Sequence, residues 1–135
     1  MSSQPESRKQ LGARGEEMVR RHLQQRGWHI LATNFRCPQG EMDLIAEEPN
    51  ETGGSTLVFI EVKTRRSRRH GAPVEAVDHR KQRKLTAVAH SFLAQRDAGG
   101  EEPACRFDVA EVEIGPDGRI GIRLLRALFA AESGP

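Results

Sequence analysis

Residues 57–63, Leu-Val-Phe-Ile-Glu-Val-Lys, constrain the fold of this chain more than any other stretch. The run opens with four apolar residues, β-branched and aromatic among them, and reads as a strand covered on both faces. Alternate residues of a strand share a face. Leu57, Phe59, Glu61 and Lys63 therefore point one way, and Val58, Ile60 and Val62 the other. This places a carboxylate and an ammonium on one face of a core strand, at its C-terminal end. Charges buried there are costly unless they are paired or hold a metal. Two readings follow: a functional site built on the strand, or a strand that surfaces at its end and carries two solvated charges.

A strand covered on both faces needs layers above and below it, and 135 residues suffice for one such domain with a normal core. Aromatic residues make up only 4% of the chain, so that core is aliphatic. No hydrophobic run approaches the roughly 18 residues a membrane span requires, so no membrane partner is expected. The polar, charged start resembles neither a signal peptide nor an anchor. Cys37 and Cys105 are too few for a zinc site on their own. They read as free thiols of a cytoplasmic protein, with one disulfide as the alternative.

The net charge of +2 conceals an asymmetry. Residues 63–84 carry nine Lys and Arg against Glu75 and Asp78, a local charge of +7. A basic region directly after the charged strand end points to a polyanion partner, and its arginine content suits phosphate. A solvated charge run is the plain alternative.

Residues 1–8 are expected to be a disordered tail and residues 9–131 a single domain. From about Arg8 to Arg26 the pattern is helical: Leu11, Met18, Val19 and Leu23 make an apolar stripe and Gly27 a stop. On that helix Glu16 falls at the edge of the stripe and faces inward, while Glu17 faces solvent. Gly12 and Gly15 lower the helix propensity. They either permit close approach to another backbone or a ligand, or mark a frayed first turn. Strands follow at residues 28–35, 41–47 and 57–63, joined by polar turns that predict an antiparallel meander. In the second strand Met42, Leu44 and Ala46 are expected on one face, with Asp43 and Ile45 on the other. Asp43 on a core strand repeats the anomaly of Glu61. Residues 64–77 read as a long basic loop. Asp78 is a plausible cap for a helix to about Arg96, with Leu85, Val88, Ala89, Phe92 and Leu93 as its apolar stripe. Cations at the start of this helix oppose its macrodipole, a cost that makes sense if an anion docks there. Strands at 105–114 and 119–125 are joined by the turn Gly115-Pro116-Asp117-Gly118, and the short apolar end at 127–131 is expected to pack back.

The order is thus α-β-β-β-α-β-β, with the anomalous residues Glu16, Asp43, Glu61 and Lys63 spread over the first helix and two neighbouring strands. Hydrolysis of a phosphodiester explains the set. It calls for a divalent cation, and hard cations take carboxylate oxygens. An Asp and a Glu on adjacent strands can converge on one ion. A Lys two residues on can orient the attacking water or offset developing negative charge. The histidines show no ligand spacing and read as surface or packing residues. Asp108 reads as structural, satisfied by neighbouring backbone.

Asp43 followed by Glu61-Val62-Lys63 resembles the signature of the PD-(D/E)xK nucleases. The wider pattern resembles the YraN-like family of uncharacterised bacterial proteins, itself similar to Holliday-junction resolvases. It includes Gly15-Glu16, Asn34-Phe35-Arg36, Gly40-Glu41-Met42-Asp43-Leu44-Ile45, Phe59 to Arg65, Gly71 with Pro73 to Val77, Lys81-Gln82 and Arg106-Phe107-Asp108-Val109. The order and spacing of these motifs cover most of the chain; Val19 and Met42 stand where other aliphatic or small residues are usual. The resemblance implies a restriction-endonuclease-like α/β core, a central mixed sheet of about five strands flanked by helices. It implies a Mg²⁺- or Mn²⁺-dependent endonuclease acting on DNA, including branched or structured DNA. Asp43 and Glu61 would be metal ligands with Glu16 as a supporting acid, and Lys63 would be catalytic. Arg65, Arg66, Arg68, Arg69, Lys81, Gln82 and Lys84 would meet the nucleic acid. A homodimer is expected by analogy with junction-cutting enzymes. The alternative is a nucleic-acid-binding module on the same fold whose catalysis is weak or lost.

Overall fold

The apolar run at residues 57–60 lies at the middle of one five-stranded sheet, and a helix covers each of its faces. The computed structural model describes residues 5–66, 79–96 and 104–130. Helix α1 (Arg8–Gln25) leads into strands β1 (His29–Cys37), β2 (Gly40–Pro49) and β3 (Ser55–Arg66). Helix α2 (His79–Gln95) then precedes β4 (Ala104–Ile114) and β5 (Ile120–Ala130). The strands lie in chain order, β1-β2-β3-β4-β5. β1–β2, β2–β3 and β4–β5 are antiparallel, which short turns permit, and β3–β4 is parallel. A parallel pair needs a crossover connection, and α2 lies within it. The α/β class, the meander of the first three strands and the element order are those expected.

Alternation along β3 divides the core as its sequence dictates. Val58 and Ile60 pack beneath α1 with Val19, Leu23, Leu44 and Ala46, and Val62 joins them at the margin. Leu57 and Phe59 pack beneath α2 with Ile45, Val88 and Ala89. Phe59 is fully buried, stacked on Phe107 at 5.3 Å and edge-on to Phe92 at 6.0 Å. The β3–β4 ladder runs unbroken from Thr56↔Ala104 to Arg66↔Ile114, so Glu61 and Lys63 keep the face of Phe59.

Several boundaries move. β3 continues to Arg66, so residues 64–66 of the expected loop are strand, and β5 continues to Ala130. The apolar end of the chain does not fold back: its backbone pairs with β4, Phe129 opposite Phe107, past a register shift. Ser7, assigned to the tail, caps α1 in a capping box with Gln10, and Glu6 meets Arg14 and Arg66, each at 3.4 Å. The expected cap Asp78 and most of the long basic loop lie outside the described residues. Met42 also differs from expectation: it packs with Ile45 under α2, whereas Leu44 and Ala46 lie under α1. Strict alternation along β2 therefore breaks between Met42 and Leu44. Asp108 is buried, as a structural role requires, and a side chain is among its partners. The Arg106 guanidinium donates to it at 2.8 and 3.0 Å and to Glu48 at 2.8 Å, against the ring of Trp28. This network ties β4 to β2 at the level of Val58, short of the charged end of β3. Cys37 and Cys105 are free thiols.

Candidate active site

The β2–β3 ladder ends at Leu44↔Ile60. The next rung, Asp43 opposite Glu61, is unpaired, and the strands part there. The N–H of Val62 donates instead to Asp43 Oδ2 at 2.7 Å, so a carboxylate stands where a strand carbonyl would. On its other side β2 stays in register with β1 across this level, and the shift in that ladder lies further along, between Ile30 and Ala32. β1 pairs Thr33 with Leu44 and Phe35 with Met42, and between them Asn34 has φ 51°. Among the described residues Asn34 is the one non-glycine in the left-handed region, which asparagine tolerates better than most residues. At this level the alternation of β2 breaks, with Met42 and Ile45 under α2 and Leu44 under α1.

Helix α1 brings Glu16 to this break. A Cβ at Gly15 would fall 1.7 Å from Thr64 Oγ1 and 2.8 Å from Thr64 Cβ, so only glycine lets α1 settle this close to β3. Of the two earlier readings, close approach holds for Gly15, and Gly12 meets nothing nearby. With the helix at that depth, Glu16 turns inward to Asp43 and Glu17 turns out to Arg20 and Arg21.

The carboxylates load one another. Burial pushes the Glu16 carboxyl above its ordinary value, the charge of Asp43 adds to this, and a hydrogen bond from Asn34 opposes it. Asp43 is also raised, first by burial and then by the charge of Glu61, against the pull of the Val62 N–H. Both acids lean toward holding protons with no cation near.

From the other face, α2 closes a cleft of about 520 Å³ lined by Gly40, Glu41, Met42, Asp43, Glu61, Lys81, Lys84 and Leu85. Lys81 Nζ donates to Glu61 Oε1 at 3.1 Å and lies 3.0 Å from Oε2 without hydrogen-bond geometry. Oε2 is buried and accepts no hydrogen bond. Lys84 folds over Gly40, where a Cβ would sit 2.8 Å from its Cε.

The expected site is therefore brought together in part. Asp43, Glu61, Lys81 and Lys84 share the cleft, and Glu16 reaches Asp43 from α1. Lys63 is half-buried on the face of Glu61 but does not line the cleft. Gln82 is half-buried in the first turn of α2, Arg65 is half-buried, and Arg66 is exposed beside Glu6. Arg68 and Arg69 lie outside the described residues. Two residues gained a place that sequence reasoning had not given them. Asn34 was noted only within a motif, and its signal was its tolerance of positive φ within a strand pattern. Lys81 was assigned to nucleic acid alone.

Carboxylate oxygens suit a hard divalent cation, and Glu61 Oε2, buried and without a hydrogen bond, has the Lys81 ammonium beside it at 3.0 Å. Among the described residues, however, no three metal-ligating side chains already converge on one point. Lys81 holds Glu61, and Asp43 holds Val62 and Glu16. Among the described residues no helix is long and apolar enough to cross a membrane.

Residues 15–112 match the model of the uncharacterised protein family UPF0102. A UPF0102 protein of Symbiobacterium thermophilum is 48% identical over 123 residues, 91% of this chain and 98% of its own length. One of Caldicellulosiruptor saccharolyticus is 41% identical over 91% of this chain and 99% of its own length. One of Nocardia farcinica is 41% identical over 88% of each chain.

Proposed function

The chain belongs to the uncharacterised protein family UPF0102, and from that premise we propose that it is a metal-dependent endonuclease hydrolysing phosphodiester bonds in DNA, with branched or otherwise structured DNA as its substrate. The observation that carries this reading is the parting of β2 from β3. It sets Asp43 and Glu61 side by side at the mouth of a cleft whose other wall is cationic. Asp43 and Glu61 would hold Mg²⁺ or Mn²⁺, with Glu16 behind Asp43. When bound, such an ion supplies Lewis-acid stabilisation of charge on the phosphate.

The chain's own residues account for the rest. Glu16 keeps Asp43 aimed at the break and takes up a proton when the carboxylates are uncompensated. Lys84 and the exposed Arg80 and Arg83 attract the phosphate backbone. Lys63, on the face of Glu61, orients the attacking water. A homodimer would offer a branched substrate two such clefts.

One observation favours a second reading, a nucleic-acid-binding module with weak or lost catalysis. Lys63 does not line the cleft, and Lys81 occupies Glu61. A Mg²⁺ and Mn²⁺ titration with a nicking assay on linear, forked and four-way DNA decides between them. Divalent-dependent cleavage lost in Asp43→Asn and Glu61→Gln supports the nuclease. DNA binding with no cleavage at any divalent concentration supports the module.

A further inference from the structure

Asn34 stands beside Asp43 on the side away from Glu61. β1 pairs Thr33 with Leu44 and Phe35 with Met42, which sets Asn34 opposite Asp43. At φ 51° it is, among the described residues, the one non-glycine in the left-handed region. A plain account is a bulge, where such a residue lets a strand take in an extra one. The ladder, however, counts residue for residue across this level, and its shift lies between Ile30 and Ala32. Nor is the side chain held by packing, since Asn34 is exposed on edge strand β1. Glycine would meet the demand of the backbone with less strain. What asparagine has and glycine lacks is the amide, and that amide donates to the Glu16 carboxylate.

Two demands therefore meet at this position. The backbone calls for a residue that accepts positive φ, which favours glycine, asparagine and aspartate. Glu16 calls for a hydrogen-bond donor that brings no negative charge, because Asp43 and Glu41 already load it. Glycine has no donor, and an ionised aspartate only accepts and adds to the repulsion. Asparagine is the one of the three that meets both demands. On the reading of this cleft as a divalent-cation site, we infer that Asn34 is a positioning residue, whose amide fixes the direction in which Glu16 presents its carboxylate beside Asp43. Gly15 sets the depth of α1, and the Val62 N–H holds Asp43 at the break in the sheet. Glu16 itself is otherwise steered by its hydrogen bond to Asp43, which a cation on Asp43 would disturb. The amide keeps its hold on the carboxylate whether or not the ion is bound.

The test is calorimetric titration of Mn²⁺ into the full chain, with thermal melts in EDTA beside it. The proteins are wild type, Asn34→Gly, Asn34→Ala, Glu16→Gln and the double variant of Asn34→Gly with Glu16→Gln. Asn34→Gly keeps the backbone conformation and removes the donor. It is expected to melt close to wild type and to bind Mn²⁺ about tenfold more weakly, the lower end for loss of a hydrogen bond behind a metal site. Asn34→Ala is expected to lose as much affinity and to melt lower as well, because alanine is strained at this φ. In the Glu16→Gln background Asn34→Gly is expected to cost no further affinity, since the group it acts through no longer carries its charge. A residue needed only for its backbone would not separate affinity from melting temperature in this way. If Asn34→Gly binds Mn²⁺ as tightly as wild type, or weakens binding equally in both backgrounds, the positioning role is overturned and the metal site stands. If wild type itself binds no Mn²⁺, the metal-site reading falls and this role falls with it.

Discussion

Asp43 Oδ2 accepts the N–H of Val62 at 2.7 Å, the hydrogen bond that β2 gives β3 in place of a backbone rung. The same carboxylate is the candidate metal ligand, so charge and hydrogen bonding can be separated by substitution. Asp43→Asn keeps a carbonyl acceptor and removes the repulsion with Glu61 and Glu16. The metal-free protein is expected to melt at or above the wild-type temperature and to lose any divalent-induced rise. Asp43→Ala strands the Val62 N–H and is expected to cost about 1–3 kcal/mol. Melting both variants with and without Mg²⁺ checks this. An Asn variant that still responds to Mg²⁺ would remove Asp43 from the ligand set.

The raised Glu16 and Asp43 carboxyls make the metal-free fold sensitive to pH. A group whose folded pKa lies above its unfolded value adds stability that is complete below the unfolded pKa and is lost as pH climbs through the folded one. The unfolded values are near 4.5 and 3.8, and both folded values are higher. This contribution is therefore present in acid and drains away as pH rises from those values toward neutrality. Divalent cation should restore it at neutral pH by mass action. Urea melts from pH 4 to 8, with and without Mn²⁺, should show a Mn²⁺-induced gain that grows with pH. A gain independent of pH would count against the carboxylates as the binding groups.

The sequence carried the face of Glu61 because β3 and β4 stay in register to the end, and an unbroken strand obeys period-two alternation. It carried the inward turn of Glu16 for the same reason on a regular helix. It did not carry the placement of Met42, because alternation along β2 breaks just beyond Leu44, where the ladder with β3 ends. A rule of strict alternation does not see where a strand's pairing ends. It also did not carry the Lys81–Glu61 contact, since the seating of α2 over the sheet depends on interlocking side chains rather than on periodicity within α2. The continuation of β5 to Ala130 was missed because the apolar end was read as a cover for the core, whereas β4 still offered unpaired backbone there.

Gly15 and Thr64 set the depth of α1. Alanine is the better helix former by about 1 kcal/mol, so propensity alone favours Gly15→Ala. Overlap decides against it. Rotation could move Thr64 Oγ1 aside, but the 2.8 Å approach to Thr64 Cβ remains, so the backbone must shift. Overpacking of this kind typically costs about 1–3 kcal/mol, which outweighs the gain. Gly15→Ala is expected to be destabilised and to lift Glu16 from Asp43, and Thr64→Gly in the same chain should recover much of the loss. Thr64→Val alone removes a buried hydroxyl without a partner but sets a larger methyl against Gly15, so it should bring no gain in stability. Denaturant midpoints of the three variants test the relation; additive effects of Gly15→Ala and Thr64→Gly would show that the two do not meet.

Phe59 tests the core. It is fully buried between Phe107 and Phe92, and Phe59→Ala is expected to cost about 3–5 kcal/mol through the cavity it leaves. Because the loss falls under α2, the substitution should also loosen Lys81 and Lys84 over the cleft. An unchanged melting midpoint would mean that β3 is not the centre of the fold.

The cationic wall of the cleft tests the nucleic-acid partner apart from catalysis. Arg66 is exposed, and its pairing with Glu6 at 3.4 Å is long and weak, so phosphate can replace it. Lys84 lines the cleft itself. Each contact with duplex phosphate releases about 0.9 of a counterion, so Arg66→Ala and Lys84→Ala should each flatten the plot of log affinity against log salt by about one unit, whatever the DNA sequence. The two losses should add, since the residues lie on different elements and share no partner among the described residues. Arg36→Ala offers the control: Arg36 is exposed on edge strand β1 and pairs with Glu41, and its removal should leave the slope unchanged. Filter binding of linear and four-way DNA over a range of KCl concentrations measures all of these. A slope that the Arg66→Ala, Lys84→Ala double variant shares with wild type would remove both residues from the interface, and with them the case for DNA entering the cleft from the α2 side.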